Sequence, residues 1–205
     1  MMKKVILFFS LLVLAAFSYG DSLANQLRDG DIIFHTSRSA QSIGIQKATH
    51  SKYSHMGIIF FRDGKPYVYE AIKTVQYTPL KEWVARGEGG QYVIKRLANA
   101  DRMLTPQDVA KLLQAATTFQ GKPYDLTFEW SDSRMYCSEL VWKIYDRGLG
   151  LHLGRLQKLG DFDLSDPVVK SKMKERYGNH IPMEETVISP SETFSADSLR
   201  VVAER

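Results

Sequence analysis

The chain contains a single cysteine, Cys137, so no disulfide bond can form within it. A fold without disulfides must draw its stability from an apolar core, and 205 residues are enough for one ordinary domain with such a core. The cysteine lies in residues 131–142, where a polar run leads into an amphipathic pattern. This pattern predicts a loop followed by a helix whose first turn contains the thiol.

The first 20 residues have the pattern of a secretory signal peptide. Two lysines precede an apolar run over residues 5–17, and the small residues Ser18 and Gly20 predict cleavage after Gly20. The apolar run is shorter than the roughly 20 residues that cross a membrane, so an anchor is the less favoured alternative. We therefore expect residues 21–205 to form one domain in the periplasm or outside the cell.

The charge of the chain gives no reason to expect a nucleic-acid partner. Lys3 and Lys4 of the leader account for two of the formal +4 charges, which leaves +2 on the remaining chain. The sequence has no run of lysine and arginine and no alternation of basic and aromatic residues. It also lacks the paired cysteine or histidine spacings of zinc sites, so we expect neither a metal nor a cofactor.

Strand-like and helical patterns alternate along the chain without an internal repeat or a linker. We predict one α+β domain, with strands at residues 32–34, 55–61, 67–72, 91–97, 186–190 and 198–203. Helices are predicted at residues 37–48, 79–85, 105–119, 137–145 and 166–177, the last of them polar and peripheral. Asp132 or Ser133 is the expected N-cap of the helix that contains the thiol.

The clearest local signal is a β-hairpin over residues 55–72. A two-residue turn at Asp63 and Gly64 sets a register in which His55 and Glu70 are diagonal neighbours on one face. The backbones of such neighbours are roughly 7–8 Å apart, a gap that these two side chains can close. Gly57 lies opposite Glu70 in this register and leaves space for the contact. A loop of odd length would place His55 and Glu70 on opposite faces.

Cys137, His55 and Glu70 supply the three groups of an acyl-transfer site. Backbone N–H groups and the helix dipole favour a thiolate at the start of a helix. The imidazole accepts the thiol proton and later gives it to the leaving group, while the carboxylate orients the imidazole. The alternatives are an inert buried cysteine, a purely structural His55, and His50 of the neighbouring polar loop as the base.

Five segments resemble, in this order along the chain, the YiiX/YaeF family of permuted papain-like amidases: GDIIF at 30–34, YSHMG at 53–57, YEA at 69–71, KPYD at 122–125 and YCSELV at 136–141. This family is related to the NlpC-type cell-wall cysteine peptidases, and the resemblance covers essentially all of the chain after residue 20. It implies a circularly permuted papain-like fold, in which an antiparallel sheet or partial barrel faces a helix that begins at the nucleophile. The family's triad falls on His55, Glu70 and Cys137, and the tyrosine that shapes its oxyanion site falls on Tyr136.

We therefore expect an exported cysteine amidase or peptidase that forms a thioester intermediate, with peptidoglycan stem peptide or another short peptide as its substrate. Tyr136, Tyr124 and Tyr53 are the expected lining of the substrate groove. A lipid or thioester acyl hydrolase or acyltransferase would use the same triad. Its acyl chain needs an apolar tunnel, and no uninterrupted apolar segment after residue 20 predicts one, which favours a peptide. A binding protein that kept the cleft without turnover is the third alternative.

Overall fold

The computed structural model describes residues 23–205 of the chain. Residues 1–22 lie outside the described part, and with them the expected signal peptide and its cleavage site. Across residues 23–205, none of the helices combines the length and the apolar composition that crossing a membrane requires.

Two β-sheets organise the described chain. The strands are β1 (Asp31–His35), β2 (His55–Arg62), β3 (Lys65–Ala71), β4 (Val75–Pro79), β5 (Val93–Leu97), β6 (Gln157–Lys158), β7 (Thr186–Val187) and β8 (Leu199–Glu204). Six of them form one sheet in the order β4-β3-β2-β1-β5-β8, and every neighbouring pair is antiparallel. Strands β6 and β7 pair separately. The last strand of the chain therefore closes the edge of the main sheet beside β5.

Seven α-helices accompany the sheets in the described residues: α1 (Ser42–Thr49), α2 (Leu80–Ala85), α3 (Ala100–Met103), α4 (Pro106–Thr117), α5 (Cys137–Leu149), α6 (Pro167–Tyr177) and α7 (Pro190–Phe194). Helix α5 packs on β2 and β3, and α4 packs along α5. Helices α1 and α6 pack against each other. The predicted α+β class with a mainly antiparallel sheet and a helix that begins at Cys137 is confirmed.

The β2–β3 hairpin has the predicted two-residue turn. Asp63 and Gly64 both adopt positive φ angles, 50° and 72°, as a tight hairpin turn requires. The register pairs Ile58 with Tyr69, which brings Gly57 next to Glu70. A Cβ atom at Gly57 would lie 2.5 Å from a methyl carbon of the facing valine on β3, so no larger residue fits there.

Helix α5 forms the centre of the core because its apolar stripe faces the sheet. Leu140, Val141, Ile144 and Tyr145 on this helix are fully buried, and the Tyr145 hydroxyl donates a hydrogen bond to the carbonyl oxygen of Gly30. Burial of each large apolar side chain contributes about 1.5–3 kcal/mol to folding. The helix that begins at the thiol is therefore fixed by the best-packed part of the molecule.

Helix α5 begins at Cys137 as predicted, but its expected N-cap and its expected C-terminal end are wrong. Its N-cap is Tyr136, whose backbone is extended, and Asp132 instead accepts hydrogen bonds from Lys143 and Arg147. The helix continues past its predicted end at residue 145 to Leu149, and Gly148 lies inside it at the crossing with α4. A Cβ atom at Gly148 would be 3.2 Å from the backbone of the facing leucine on α4, so this glycine permits close helix packing.

Two further expectations need correction. Strand β4 was not predicted, although it lies at one edge of the main sheet. Helix α6 is not peripheral: it buries Val169 and Met173 in a small apolar cluster with Leu159. Its polar sequence conceals this role because only these two residues of the helix are buried.

Candidate active site

Cys137 is the first residue of α5 and is 3% exposed. The residues on either side of it in sequence, Tyr136 and Ser138, both form hydrogen bonds with the backbone of Ile188. The Ser138 hydroxyl donates to the carbonyl oxygen of Ile188 at 2.8 Å, and the Tyr136 hydroxyl accepts from the N–H group of Ile188 at 3.1 Å. The first turn of α5 is therefore fastened to the segment that precedes α7, and the sulfur has a fixed position.

Glu139 lies in the same first turn and is fully buried. Its carboxylate accepts hydrogen bonds from the ammonium group of Lys143 at 2.7 Å and from the backbone N–H of Tyr136 at 3.4 Å. Burial raises the pKa of Glu139 to about 7, although Lys143 acts in the opposite direction. Glu139 thus caps the helix start, while the sulfur faces elsewhere.

His55 begins β2 and faces both Cys137 and Glu70. Its Nε2 atom lies 2.6 Å from Oε2 of Glu70, which leaves Nδ1 available to Cys137. Burial alone would lower the pKa of His55, but the charge and hydrogen bond of Cys137, together with those of Glu70, raise it to about 9. The imidazole therefore carries a proton at neutral pH.

The Glu70 carboxylate is completely buried on β3 and has partners on both oxygen atoms. One oxygen meets His55, and the other accepts from the Thr78 hydroxyl at 2.6 Å and from the Arg86 guanidinium. Burial acts to raise the pKa of Glu70, but His55, Arg86 and Thr78 outweigh it and lower this pKa. A charged, immobile carboxylate therefore orients the imidazole.

A second histidine, His35, lies directly opposite His55 in the β1–β2 register. The two rings are 5.4 Å apart, and the His35 ring stacks on Trp83 at 3.8 Å. Burial, the charge of His55 and that of Arg86 lower the pKa of His35 to about 2, so this ring stays neutral. Sequence reasoning missed His35, and the strand register that places it beside His55 depends on a pairing outside the predicted hairpin.

The alternative base, His50, is placed elsewhere. It follows α1 in a left-handed conformation, its side chain is 74% exposed, and its Nε2 atom pairs with Asp163 at 3.3 Å. His55, in contrast, is buried and lies close enough to Cys137 for the cysteine to raise its pKa. The geometry favours His55 over His50 as the proton acceptor.

Two cavities of different character lie beside the catalytic pair. The first, the apolar cavity, is lined almost wholly by apolar groups, mainly from α1, α6, residues 159–164 and residues 187–190, and its lining includes Cys137. The second is more polar than the first and is called the polar cavity: His55 and Arg86 line it together with Ser37, Arg38 and Ser39, while Ile72 and Leu126 add apolar surface. Gln41 and Tyr124 line both cavities. Cys137 thus lines the apolar cavity, and His55 lines the polar one.

The three predicted substrate-binding tyrosines have different surroundings. Tyr124 borders both cavities, and its hydroxyl accepts a hydrogen bond from the Gln41 side chain at 2.7 Å. Tyr136 lines the apolar cavity. Tyr53 stacks on Phe194 at 4.1 Å and is not among the residues that line either cavity.

A buried cysteine at the start of a helix, facing a carboxylate-bound histidine on an antiparallel sheet, is the arrangement of papain-like cysteine hydrolases. The comparisons agree. The model of the permuted papain-like amidase enzymes of the YaeF/YiiX, C92 family matches residues 26–203. The chain therefore belongs to this family of cysteine amidases, in which the histidine strand precedes the cysteine helix.

The similarity to individual relatives is also extensive. The chain is 51% identical over 203 residues to the protein YiiX of Escherichia coli strain K12. This match covers 98% of this chain and 96% of that protein. The crystal structure of the protein described as metalloprotein YiiX from Escherichia coli O157:H7 matches with a TM-score of 0.84 at 53% identity. That match covers 88% of this chain and 98% of the other.

Proposed function

We propose that this protein hydrolyses an amide bond between an apolar acyl group and a polar amine. Cys137 is the nucleophile, His55 is the general base and acid, and Glu70 orients His55. The observation that carries the proposal is the division of the site: Cys137 lines the apolar cavity, and His55 lines the polar one.

The reaction would begin with the proton of the catalytic pair on His55, because the pKa of this histidine is raised to about 9. The sulfur attacks the amide carbon, and the carbonyl oxygen becomes an oxyanion that N–H groups at the start of α5 and the Tyr124 hydroxyl stabilise. The C–N bond then breaks while His55 gives its proton to the departing amine. Water, deprotonated by His55, attacks the thioester, which releases the carboxylic acid and the free thiol.

This sequence of steps assigns one half of the substrate to each cavity. The acyl group stays on the sulfur after the C–N bond breaks, so it must occupy the space that Cys137 faces. The amine receives its proton from His55, so it must leave through the cavity that the imidazole faces. An almost wholly apolar cavity on the first side and a more polar one on the second therefore match an apolar acyl group and a polar amine.

The structure removes the reason for which the sequence favoured a peptide substrate. It rested on the lack of a continuous apolar segment, but the apolar lining is collected from six separate segments between residues 41 and 190. A peptide acyl group would bring amide and carboxylate groups into this cavity, and burial of such groups without partners costs free energy. We therefore place the acyl alternative first and a peptide second.

A metal is not part of the proposal, although the related Escherichia coli O157:H7 protein is described as a metalloprotein. In residues 23–205, no group of three or more histidine, cysteine, aspartate or glutamate side chains is arranged to hold a metal ion. The Glu70 carboxylate is already engaged by His55, Thr78 and Arg86. These donors do not fit a metal centre.

We further propose that the reaction takes place in the periplasm or outside the cell, on the basis of the signal-peptide pattern in residues 1–20. N-terminal sequencing of protein recovered from the periplasmic fraction tests this. A mature chain that begins at Asp21 supports export, and an uncleaved chain that stays in the cytoplasm contradicts it.

The substrate proposal is tested by trapping the acyl-enzyme. The wild-type protein and Cys137→Ala are incubated with N-octanoyl and N-acetyl amino acids and with a stem tripeptide, then quenched in acid and weighed by mass spectrometry. We expect an octanoyl adduct on the wild type and none on the variant. A peptide adduct without an octanoyl adduct would restore the peptide assignment. A folded protein that forms no adduct and cleaves nothing would indicate a binding protein.

A further inference from the structure

We propose that Arg176 and Gln41 are positioning residues that aim the hydroxyl proton of Tyr124 at the reacting carbonyl oxygen. The inference rests on the proposed function, in which that oxygen becomes an oxyanion beside Cys137. It adds two residues that do not touch the triad and lie far from it in sequence.

The three side chains form a continuous chain of hydrogen bonds. A terminal guanidinium nitrogen of Arg176 donates to Oε1 of Gln41 at 2.9 Å. The Nε2 atom of Gln41 donates to the Tyr124 hydroxyl at 2.7 Å. Arg176 lies in the last turn of α6, Gln41 directly precedes α1, and Tyr124 precedes the loop that leads to Cys137. The relay therefore joins both helices of the apolar cavity to Tyr124, which lines this cavity together with Cys137.

The direction of this relay follows from the chemistry of its first member. A guanidinium group carries donors and no acceptor, so the oxygen end of the Gln41 amide must face Arg176. The nitrogen end then faces Tyr124. An amide nitrogen cannot accept a hydrogen bond, so the tyrosine oxygen is the acceptor and its own proton must point away from Gln41.

The hydroxyl proton of Tyr124, which points away from Gln41, can donate a hydrogen bond where the reaction takes place. Tyr124 borders the cavity of the sulfur and the cavity of the imidazole, and the scissile bond must lie where these two meet. Burial and then the negative charge of Cys137 raise the pKa of Tyr124, so the phenol keeps its proton. A neutral hydroxyl with a fixed direction is the kind of donor that stabilises an oxyanion.

Arg176 is needed because an amide side chain can turn over. If Gln41 rotated by half a turn, its oxygen would accept the Tyr124 proton and withdraw it from the reaction. The guanidinium prevents this, and it is itself held in place because it lies 4.7 Å from the centre of the Phe128 ring. Arg176 thus acts on the reaction only through Gln41.

The sharpest test reverses the second hydrogen bond without removing it. In Gln41→Glu, the new carboxylate can still accept from Arg176, so the contact between α1 and α6 is kept. It can only accept from Tyr124, so the tyrosine proton turns toward it. We expect the acylation rate with 4-nitrophenyl octanoate to fall by about 10²–10³-fold, the usual loss for one oxyanion donor, while KM and the thermal midpoint change little.

A double-mutant cycle separates this effect from a general effect of the added charge. Tyr124→Phe should lose about as much acylation rate as Gln41→Glu, and the double variant should lose no more than either single variant. Arg176→Met should lose part of the rate because the amide can turn over, and Arg176→Lys should recover it because lysine is also a donor without an acceptor. The proposal would be overturned if Gln41→Glu lowered the acylation rate by the same factor in the wild type and in Tyr124→Phe. It would also be overturned if Gln41→Glu kept the wild-type rate.

The same assays with 4-nitrophenyl acetate distinguish a failure of this inference from a failure of the proposed function. If Cys137 is acylated by the acetyl ester and not by the octanoyl ester, the apolar acyl group is wrong, and the cycle is then measured with acetate. Non-additivity with acetate still supports the relay. Additive losses with acetate still contradict it.

Discussion

The two cavities beside Cys137 are built on different principles. The polar cavity is formed by the main sheet and the loops around it, and its central groups are tied together by short hydrogen bonds, as in the contact of 2.6 Å between His55 and Glu70. The apolar cavity is formed by α1, α6 and C-terminal segments, which are joined mainly by apolar packing.

Because of this difference, we expect the polar cavity to govern the catalytic steps and the apolar cavity to govern substrate selectivity. A hydrogen-bonded network fails when one member is lost, because the remaining buried groups are left unsatisfied. An apolar surface instead changes its affinity gradually with the shape and length of the ligand. Substitutions on the sheet side should therefore slow every substrate alike, and substitutions on the helix side should change which substrate is preferred.

The largest expected effect is on the sheet side. His55→Ala removes the group that holds the thiol proton and delivers it to the amine, so hydrolysis should fall by about 10²–10⁴-fold for all acyl lengths. Alkylation of Cys137 by iodoacetamide at neutral pH should fall as well. Both rates are measured on variants whose circular dichroism spectra match that of the wild type.

His50→Ala is the matched control because it removes an imidazole that pairs with Asp163 at the surface. It should leave both rates unchanged. If His50→Ala abolishes thiol alkylation while His55→Ala does not, the base has been misassigned and the polar cavity loses its proposed role.

A smaller effect is expected in the pH profile of Glu70→Gln. The wild-type imidazolium is present below a pKa of about 9 and is lost above it, so kcat/KM should decline as the pH rises through about 9. Because Glu70 contributes to raising this pKa, the variant should start to decline at a lower pH. A decline at the same pH in both proteins would show that Glu70 does not tune His55.

The raised pKa of His55 also predicts that the free energy of unfolding depends on pH. The pKa of His55 rises from 6.5 to about 9 on folding, so its contribution is fully present below pH 6.5 and is lost as the pH rises through about 9. The free energy of unfolding of the wild type should decline over this window, and Glu70→Gln should decline less. Urea unfolding at a series of pH values measures both.

The smallest effect on the chemistry, but the most selective one, is expected for Gly44→Leu on the helix side. Gly44 lines the apolar cavity, and a Cβ atom there meets only ordinary contact, 3.7 Å from Cγ of Lys172. The added side chain should shorten the cavity and lower kcat/KM for octanoyl esters by about 10–200-fold, the usual effect of one excluded methylene, with little change for acetyl esters.

Ile43→Phe provides the control for this prediction. Ile43 is on the same helix but is 56% exposed and does not line the cavity, so the added bulk lies outside it. The octanoyl-to-acetyl ratio should stay at the wild-type value. An equal drop in both variants would mean that the effect comes from α1 in general and not from the cavity.

Much of the sheet side was predictable because it depends on local sequence. Asp63 and Gly64 specify a two-residue turn, the turn specifies the register, and the register brings His55 toward Glu70. The start of α4 is equally local, since Thr105 and Asp108 form a capping box. Interactions between residues that are close in sequence can be predicted from the local sequence pattern.

The features that were missed depend on distant segments. Gly148 has the local pattern of a helix stop, but the close approach of α4 gives it a place inside α5. His35 differs from His55 in protonation because one ring stacks on Trp83 while the other bonds a carboxylate. Such differences arise from burial and from partners that no short stretch of sequence contains.

The sequence by itself determined the class of the fold, the position of the thiol at a helix start and the pairing of His55 with Glu70, because short-range patterns and turn geometry specify them. Tertiary structure alone decided the apolar cavity, the division of Cys137 and His55 between two environments and the chain from Arg176 through Gln41 to Tyr124. The last of these spans 135 residues from Gln41 to Arg176. A cavity and a relay consist of surfaces brought together by packing, and their physical properties exist only once the chain has folded.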